Sequence, residues 1–115
     1  MSKYHSRKSV CNQGHKHDSI KEKNRCDELT LLEKGGVIKD LKQQPKFVLM
    51  KGFKYQGKKI RDITYSADFS YYDNEKNNMF VIEDTKGFKT AVYRLKKKML
   101  LNILKDKVAF EFIES

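Results

Sequence analysis

The sequence predicts a single α/β (α+β) domain in which two helices flank a mixed central sheet of about four to five strands. Three observations lead to this fold class. A chain of 115 residues has the length of one domain. Helical patterns occur at about 19–34 and 90–104. Between and after them lie stretches of β-branched and aromatic residues, which are typical of strands.

The first 17 residues differ in composition from the rest of the chain. They contain several cations and all three histidines but no carboxylate, and their apolar residues are sparse and aperiodic. Such a segment is expected to be a flexible basic arm. The sequence therefore predicts an arm over 1–17 and one folded domain over 18–115.

The first helix is predicted over 19–34. Ser19 followed by Glu22 fits a capping box, and the glycine pair that begins at Gly35 ends the helix. Residues 37–41 are interpreted as a short connection. The apolar residues of the helix form only a partial stripe, made of Ile20, Leu29, Leu31 and Leu32.

The middle of the chain has strand composition. An apolar run predicts a strand at 47–50, and Gly52 and Gly57 bracket a predicted turn before a long strand over 59–72. Within this long strand, alternation predicts one packed face and one polar face. The packed face consists of Tyr65, Ala67, Phe69 and Tyr71, and the polar face of Ser66, Asp68 and Ser70.

A hairpin, a helix and a last strand complete the pattern. The polar segment 73–78 predicts a turn, and the apolar run 79–82 restarts the sheet as the second strand of the hairpin. A helix is predicted over 90–104 and a final strand over 108–113. The apolar side of that helix is expected to consist of Ala91, Leu95, Met99 and Ile103.

The charge balance indicates the class of partner. The chain has 25 Lys and Arg residues against 15 Asp and Glu residues, for a formal net charge of +10. Such a surface binds phosphate polyanions through counterion release, which favours nucleic acid over a membrane surface. The sequence has no long apolar run and no secretory signal pattern, so we expect a cytoplasmic protein without a membrane partner.

Acidic residues beside strand ends are the candidate catalytic groups. Asp68 lies in an otherwise apolar strand, and Asp84 ends the next strand with Lys86 on the same face two residues later. If the hairpin places Asp68 opposite Asp84, the two carboxylates repel each other and require a cation. Oxygen ligands suit Mg²⁺, and Lys86 would assist the attacking water or stabilise the developing charge on the phosphate.

Two further carboxylates lie near these residues in the sequence. Glu22 would reach the metal if the first turn of its helix lies at the same edge, although the capping box uses the same carboxylate. Glu83 faces the opposite side from Asp84 by alternation, so we expect a supporting role for it beside the site.

The ordered set of Glu22, Asp68 and the run Asp84-Thr85-Lys86, followed by a basic helix, resembles the PD-(D/E)XK nuclease superfamily. The stretch 18–104 is similar to small phage-encoded endonucleases and Holliday-junction resolvases of that group, with Ala67 preceding Asp68 where the family label has proline.

The resemblance implies a restriction-endonuclease-like core and hydrolysis of DNA phosphodiesters that depends on Mg²⁺ or Mn²⁺, with no small-molecule cofactor. It implies Glu22, Asp68 and Asp84 as metal ligands and Lys86 as a catalytic residue. It further implies a homodimer that acts on duplex or branched DNA, in the cytoplasm of a phage-infected bacterium.

Basic residues around the predicted site are candidates for phosphate contacts, although a solvated helix face is the alternative interpretation. Gln44 is interpreted as a polar residue beside the site, as a turn residue or as a residue that contacts DNA. The predicted DNA-binding residues are Arg7, Lys8, Lys16, Lys89, Arg94, Lys96, Lys97 and Lys98.

Two other hypotheses stay open. Soft ligands suit Zn²⁺, but the spacing of the candidates matches no common zinc finger. These candidates are Cys11, His15, His17 and Cys26. Each carboxylate can also be a structural residue of a surface strand, and the chain is then a non-catalytic basic DNA-binding protein.

Overall fold

The computed structural model describes residues 9–10, 16–17, 20–85 and 89–114, with only the backbone described for 9–10 and 16–17. Two helices lie in these residues, α1 (Ile20–Lys34) and α2 (Ala91–Leu104). The strands of the described residues are β1 (Ser9–Val10), β2 (Lys16–His17), β3 (Ile38–Gln43), β4 (Lys46–Met50), β5 (Phe53–Tyr55), β6 (Lys58–Ile60), β7 (Ile63–Ser66), β8 (Phe69–Asp73), β9 (Met79–Asp84) and β10 (Phe110–Glu114).

The central sheet is mixed and has four strands in the order β10-β9-β8-β3. Strands β8 and β9 form the predicted antiparallel hairpin, whereas β10 pairs with β9 in parallel. With a helix against each face, this arrangement confirms the predicted α+β class. The interpretation of 37–41 as a connection is wrong, because these residues enter β3 and pair with β8 at the edge of the sheet.

A second pair of strands continues from the sheet as a ribbon. Strand β4 pairs with β7 in antiparallel register. Two backbone hydrogen bonds link this pair to β3 and β8, from Gln44 N to Asp68 O at 2.8 Å and from Ala67 N to Pro45 O at 3.1 Å. The predicted single strand over 59–72 is therefore wrong, since the chain breaks into β6, β7 and β8 as it passes from one layer to the next.

The hairpin of β5 and β6 lies beyond the far end of the ribbon. The predicted turn between Gly52 and Gly57 is wrong in its position, because β5 occupies most of that stretch. The chain reverses at Gln56 and Gly57, whose φ angles are 48° and 75°. Two successive positive φ angles in a two-residue loop are typical of the type I′ turn, which matches the twist of a hairpin.

Helix α1 covers one face of the central sheet. Its residues Cys26 and Leu29 are buried against Phe69, Tyr71 and Val81. The predicted apolar stripe is wrong in two of its members, since Ile20 and Leu31 are exposed. The side of α1 that contacts the sheet is therefore the one with Cys26 and Leu29, and large apolar residues such as Ile20 and Leu31 lie outside it.

Helix α2 covers the other face and the ribbon. Its N-cap is Thr90, whose side chain accepts a hydrogen bond from Tyr93 N at 3.0 Å. Tyr93 and Leu100 are buried in this layer, whereas Ala91 and Leu95 of the predicted apolar side are exposed. The buried side of α2 is therefore rotated by part of a turn from the predicted apolar side, because Tyr93 packs inward.

The predicted division of the long strand into a packed and a polar face is also wrong. Tyr65 and Ala67 are buried in the layer of α2, whereas Phe69 and Tyr71 are buried in the layer of α1. Ser70, expected on a polar face, is buried as well. The cause is that the chain changes layer between β7 and β8, and that helices cover both faces of the sheet.

Most of the predicted basic arm, and Ser19 of the predicted capping box, lie outside the described residues. The described backbone of the arm forms an antiparallel pair between β1 and β2. Across the ranges that the structure describes, neither helix has the length and apolar content needed to cross a bilayer.

Candidate functional site

Asp68 and Asp84 meet at the edge of the sheet where β8 begins and β9 ends. The register pairs Phe69 with Glu83, and Asp68 N also donates to Glu83 O at 3.1 Å. The carboxylate of Asp68 accepts a hydrogen bond from the backbone N–H of Thr85 at 2.6 Å, directly after Asp84. The hairpin therefore brings the two aspartates together, as the sequence predicts.

Asp84 is the more deeply buried of the two aspartates, with 1 % of its surface exposed. Its Oδ2 accepts a hydrogen bond from the hydroxyl of Tyr65, a buried residue of β7. The ring of Tyr65 lies 6.1 Å from that of Tyr93 and 6.4 Å from that of Phe112, between centroids. Aromatic rings from α2 and β10 thus hold Tyr65 in place beside the carboxylate.

Glu114 adds another carboxylate on the same side of the sheet. The parallel register of β10 with β9 places Glu114 beside Asp84. The hydroxyl of Tyr93 donates to Glu114, and Lys97 Nζ lies 3.3 Å from Glu114 Oε2. Lys89 Nζ lies 3.8 Å from the other carboxylate oxygen. Glu114 therefore anchors the first half of α2 to the sheet edge.

The surroundings at this edge shift the pKa values of Tyr93 and Glu114. Burial raises the pKa of Tyr93 above its ordinary value, and its hydrogen bond to Glu114 raises it further. The negative charges of Asp84 and Asp68 also contribute to the raised pKa of Tyr93, which places both aspartates within electrostatic reach of its hydroxyl. The hydrogen bond from Tyr93 lowers the pKa of Glu114, and Lys97 lowers it further.

Glu83 lies on the opposite face, toward α1. Arg25 donates two hydrogen bonds to its carboxylate, from Nε at 2.7 Å and from Nη2 at 2.6 Å. The hydroxyl of Tyr71 donates to the same carboxylate. These contacts raise the pKa of Arg25, chiefly through the hydrogen bond to Glu83, and burial followed by the Glu83 hydrogen bond raises the pKa of Tyr71. Glu83 thus fixes α1 to the sheet, as Glu114 fixes α2.

Glu22 occupies the first turn of α1 and is 6 % exposed. Among the residues that the structure describes, no three His, Cys, Asp or Glu side chains lie close enough together to hold a metal ion. The metal-ligand role of Glu22 stays a prediction. Helix α1, which carries Glu22, packs on the face of the sheet opposite to the one that Asp84 shares with α2.

The chain matches, over residues 1–112, the model of a protein family described as "Protein of unknown function (DUF1064)". It belongs to the DUF1064 family. Comparisons with curated proteins and with solved structures found no match.

In this DUF1064 chain, the cations predicted to bind DNA fall into three groups. Arg94 and Lys98 of α2 are exposed, and Lys96 is half-buried. Lys89 and Lys97 lie near Glu114, although the Lys89 side chain is 41 % exposed, and Lys97 Nζ also lies 4.8 Å from the centre of the Phe112 ring. Arg7, Lys8, the side chain of Lys16, and the predicted catalytic residue Lys86 lie outside the described residues.

Gln44 is an exposed turn residue. Its φ angle is 51°, and its backbone N–H donates to the carbonyl of Asp68. Its backbone therefore supports the start of β8, which is the turn role that the sequence left open for it.

The predicted zinc ligands lie largely beyond the described side chains. Cys26 is buried in the layer of α1, where its thiol donates to Gln43 Oε1 at 3.3 Å. Cys11, His15 and the side chain of His17 lie outside the described residues.

Sequence reasoning missed four residues of the site region. They are Arg25, Tyr65, Tyr93 and Glu114. Tyr65 carried a signal, since it precedes Asp68 in a strand with strong alternation. Glu114 carried none, because only the parallel pairing of β10 with β9 places it beside Asp84.

Proposed function

We propose that this DUF1064 chain is an endonuclease that hydrolyses phosphodiester bonds of DNA and depends on Mg²⁺ or Mn²⁺. The meeting of Asp68 and Asp84 at one sheet edge is the observation that supports it most directly. The net charge of +10 supports a phosphate polyanion as the substrate.

The chemistry of the two aspartates suits a hard divalent ion. Neighbouring carboxylates repel each other when both are ionised, and a bound cation relieves that repulsion. Proteins commonly bind Mg²⁺ through one or two carboxylates, with water and phosphate oxygens as the remaining ligands. Asp68 and Asp84 would hold such an ion, with Glu22 as the further ligand that the resemblance implies. A bound ion would supply polarisation of the phosphate and activation of a water molecule.

The chain's own groups orient these carboxylates. The Tyr65 hydroxyl restrains Asp84, and the backbone N–H of Thr85 restrains Asp68. Restraint of this kind fixes the direction of the carboxylate oxygens before substrate binds, which reduces the cost of assembling the site. Lys86 keeps its proposed catalytic role on the basis of the resemblance.

Phosphate contacts and assembly complete the proposal. The exposed Arg94 and Lys98 lie on the helix that Tyr93 and Glu114 anchor to the site, so they are placed to contact the DNA backbone. A homodimer would present two such sites to the two strands of duplex or branched DNA. We place this activity in the cytoplasm of a phage-infected bacterium, as the resemblance implies.

A non-catalytic DNA-binding function is the second candidate. It is supported by the exposed cations of the described residues, which can bind phosphates whether or not a metal site is present. The hydrogen bonds from Tyr65 and Thr85 are also compatible with aspartates that only stabilise the sheet edge. This candidate keeps the cationic surface and predicts no product from any substrate.

Cleavage assays separate the two candidates. Plasmid, single-stranded and four-way-junction DNA are each incubated with Mg²⁺, Mn²⁺ or excess chelator. We expect cleavage only with the metals. Asp84→Asn should lower the rate by at least about 100-fold, the upper end for residues that merely support a metal ligand. Asp84→Asn keeps an oxygen acceptor for Tyr65, so the fold should persist.

The matched control is Asp106→Asn, which removes an exposed carboxylate after α2. It should cleave at the parental rate. Cleavage by Asp84→Asn at the parental rate, or cleavage in excess chelator, contradicts the nuclease proposal. Binding of DNA without cleavage of any substrate supports the second candidate.

A further inference from the structure

The hairpin of β5 and β6 carries a concentration of positive charge that the proposed site does not use. We define the basic hairpin as residues 51–62, which extend beyond the far end of the β4–β7 ribbon. With Lys46 at the near end of β4, the segment 46–62 holds six cations and one carboxylate. The six cations are Lys46, Lys51, Lys54, Lys58, Lys59 and Arg61, and all are exposed.

The single carboxylate of this segment does not neutralise these cations. Asp62 Oδ1 accepts a hydrogen bond from Gly52 N at 2.5 Å and so closes the base of the hairpin. Within the described residues, none of the six cations forms an ion pair with a carboxylate. Their charge is therefore available to a partner with negative charge.

The two faces of the basic hairpin have different chemistry. Lys54 pairs with Lys59 across the strands, which makes one face cationic. Alternation places Phe53 and Tyr55 on the other face, and they are 52 % and 60 % exposed. Exposed apolar side chains mark a binding surface when they form a contiguous patch, and here the two rings adjoin Ile60 and Lys58 across the strands.

A concave surface of about 990 Å³ adjoins the base of the hairpin. Its lining combines cations with an aromatic ring and includes Lys46, Lys51, Phe53, Lys54, Lys59 and Arg61. A groove of cations with an aromatic platform is the arrangement by which proteins bind single-stranded nucleic acid, since the cations follow the phosphates and the rings stack on bases.

The hairpin is held rigidly enough to act as a platform. Its type I′ turn fixes the register of β5 with β6. At its base, Gly52 lies so close to the opposite strand that an added Cβ would collide with the carbonyl of Ile60 and lie 2.9 Å from Asp62 Oδ1. This close packing restricts the backbone of the hairpin, so less conformational freedom of that backbone is lost on binding.

We propose that the basic hairpin binds an unpaired strand of branched or forked DNA, with Phe53 and Tyr55 stacking on its bases and Lys54 and Lys59 contacting its phosphates. This inference rests on the DNA-directed part of the proposed function and names the substrate class. Aromatic stacking requires bases that are not already stacked in a duplex, which is why the exposed rings favour an unpaired segment.

The position of the hairpin suits this role. Ile63, where the ribbon ends, lies five positions before Asp68 in the sequence. At roughly 3.3 Å per residue, the base of the hairpin lies about 17 Å along the chain from the candidate site. This length corresponds to about five base pairs of duplex. A strand held at the hairpin could thus continue to a scissile phosphate beside Asp68.

A second copy of this chain is a poorer occupant for the same face. Two hairpins that met through Phe53 and Tyr55 would bring two sets of six exposed cations together. Repulsion between these like charges opposes that contact, whereas DNA phosphates neutralise them. Charge complementarity therefore favours the nucleic acid.

Binding assays in excess chelator test the inference without any cleavage. Fluorescent forked DNA and a duplex of equal length are titrated with the full chain at several salt concentrations. We expect Phe53→Ser/Tyr55→Ser to weaken binding of the fork by at least about fivefold, because base stacking contributes about 1–3 kcal/mol per base. Binding of the duplex should change by less than about twofold, since duplex bases cannot stack on the rings.

The cationic face is tested by Lys54→Gln/Lys59→Gln. The slope of log affinity against log salt concentration is negative, and for single strands the loss of two phosphate contacts should reduce its magnitude by about 1.4. The control Lys34→Gln/Lys39→Gln removes the same charge from exposed positions at the opposite end of the sheet, and it should leave the slope nearly unchanged. All variants change exposed side chains, and circular dichroism checks that each remains folded.

Three results would overturn the inference. In the first, Phe53→Ser/Tyr55→Ser retains the parental preference for the fork. In the second, Lys54→Gln/Lys59→Gln has the same salt dependence of binding as Lys34→Gln/Lys39→Gln. The third is a dimer that dissociates in Phe53→Ser/Tyr55→Ser while DNA binding stays unchanged, which assigns the face to self-association. Because every measurement is made without metal, the inference is judged separately from the cleavage test of Asp84→Asn.

Discussion

The hydroxyl of Tyr65 donates a hydrogen bond to Oδ2 of Asp84, and both residues are buried. Tyr65 lies in the ribbon and Asp84 in the central sheet, so this bond joins the two layers at the candidate site. A buried carboxylate that loses such a donor keeps its desolvation cost without the compensating bond.

We therefore expect Tyr65→Phe to lower the free energy of unfolding by about 1–3 kcal/mol. In the nuclease proposal it should also raise the Mg²⁺ concentration needed for cleavage by about 10–100-fold, because it supports a metal ligand. Urea denaturation and a metal titration of cleavage measure the two effects. Tyr72→Phe is the control, since Tyr72 is half-buried beside Phe80 with its ring centroid 5.2 Å away. Equal stability of the two variants would contradict this account.

The ion pair of Arg25 with Glu83 fixes α1 to the sheet. Glu83 is buried, whereas the Arg25 side chain is 35 % exposed. Loss of Arg25 leaves a buried carboxylate whose remaining hydrogen bond, among the described residues, comes from Tyr71. We expect Arg25→Ala to cost about 2–3 kcal/mol in unfolding free energy, somewhat less than a fully buried pair because solvent reaches the arginine.

The control for this prediction is Lys23→Ala, which breaks the ion pair with Asp27 on the surface of the same helix. The two side chains are 33 % and 21 % exposed, and helix pairs of this spacing contribute only about 0.3–0.5 kcal/mol. Thermal or urea unfolding compares the two variants. A cost for Arg25→Ala that is no larger than for Lys23→Ala would show that the Glu83 contact contributes little.

The contact of Glu114 with Tyr93 predicts a dependence of stability on acid. The pKa of Glu114 is lowered in the folded chain, chiefly by the Tyr93 hydrogen bond. A lowered folded-state pKa gives stability that is present above the ordinary value of 4.5 and is lost as the pH falls below it. Glu114→Gln should therefore lose less stability than the parent chain between neutral pH and pH values below 4.5.

Urea denaturation at a series of pH values measures this effect. Glu75→Gln is the control, because Glu75 is an exposed residue of the β8–β9 connection. Its acid dependence should match that of the parent chain. If Glu114→Gln retains the full acid dependence, the Tyr93 contact is not a source of stability.

Gly52 at the base of the basic hairpin predicts a local effect of backbone packing. A Cβ at Gly52 would collide with the opposite strand, whereas one at Gly35 would meet only ordinary contacts, 3.5 Å from Leu31 O. We expect Gly52→Ala to cost about 1–3 kcal/mol, the usual range for overpacking. Hydrogen exchange should show faster exchange in β5 and β6 than in the central sheet. Gly35→Ala should show neither effect.

Local signals in the sequence were sufficient for some elements. Thr90 caps α2, and the glycines after Lys34 end α1, so both helices lie within one residue of their predicted bounds. The β8–β9 hairpin follows from a polar turn between apolar runs. Capping and turn formation depend on residues that are close in sequence, which is why they can be predicted from it.

Other features depend on pairing between distant segments. Strand β3 has a polar sequence, and only its pairing with β8 makes it a strand. The inward side of α2 is set by Tyr93 against Tyr65, which no periodicity within α2 indicates. Tyr65 and Phe69 share the same alternation in the sequence but lie in different layers, because the chain bends between them.

The candidate site shows the same division. The amino-acid order alone indicated that Asp68 and Asp84 meet, since one hairpin brings them together and a hairpin is a local structure. Glu114 joins them through parallel pairing with β9, whereas α1, which carries Glu22, packs on the opposite face of the sheet. These placements follow from how helices and strands pack across the sheet. Such packing depends on contacts between residues far apart in the chain, so the three-dimensional structure was needed to reveal them.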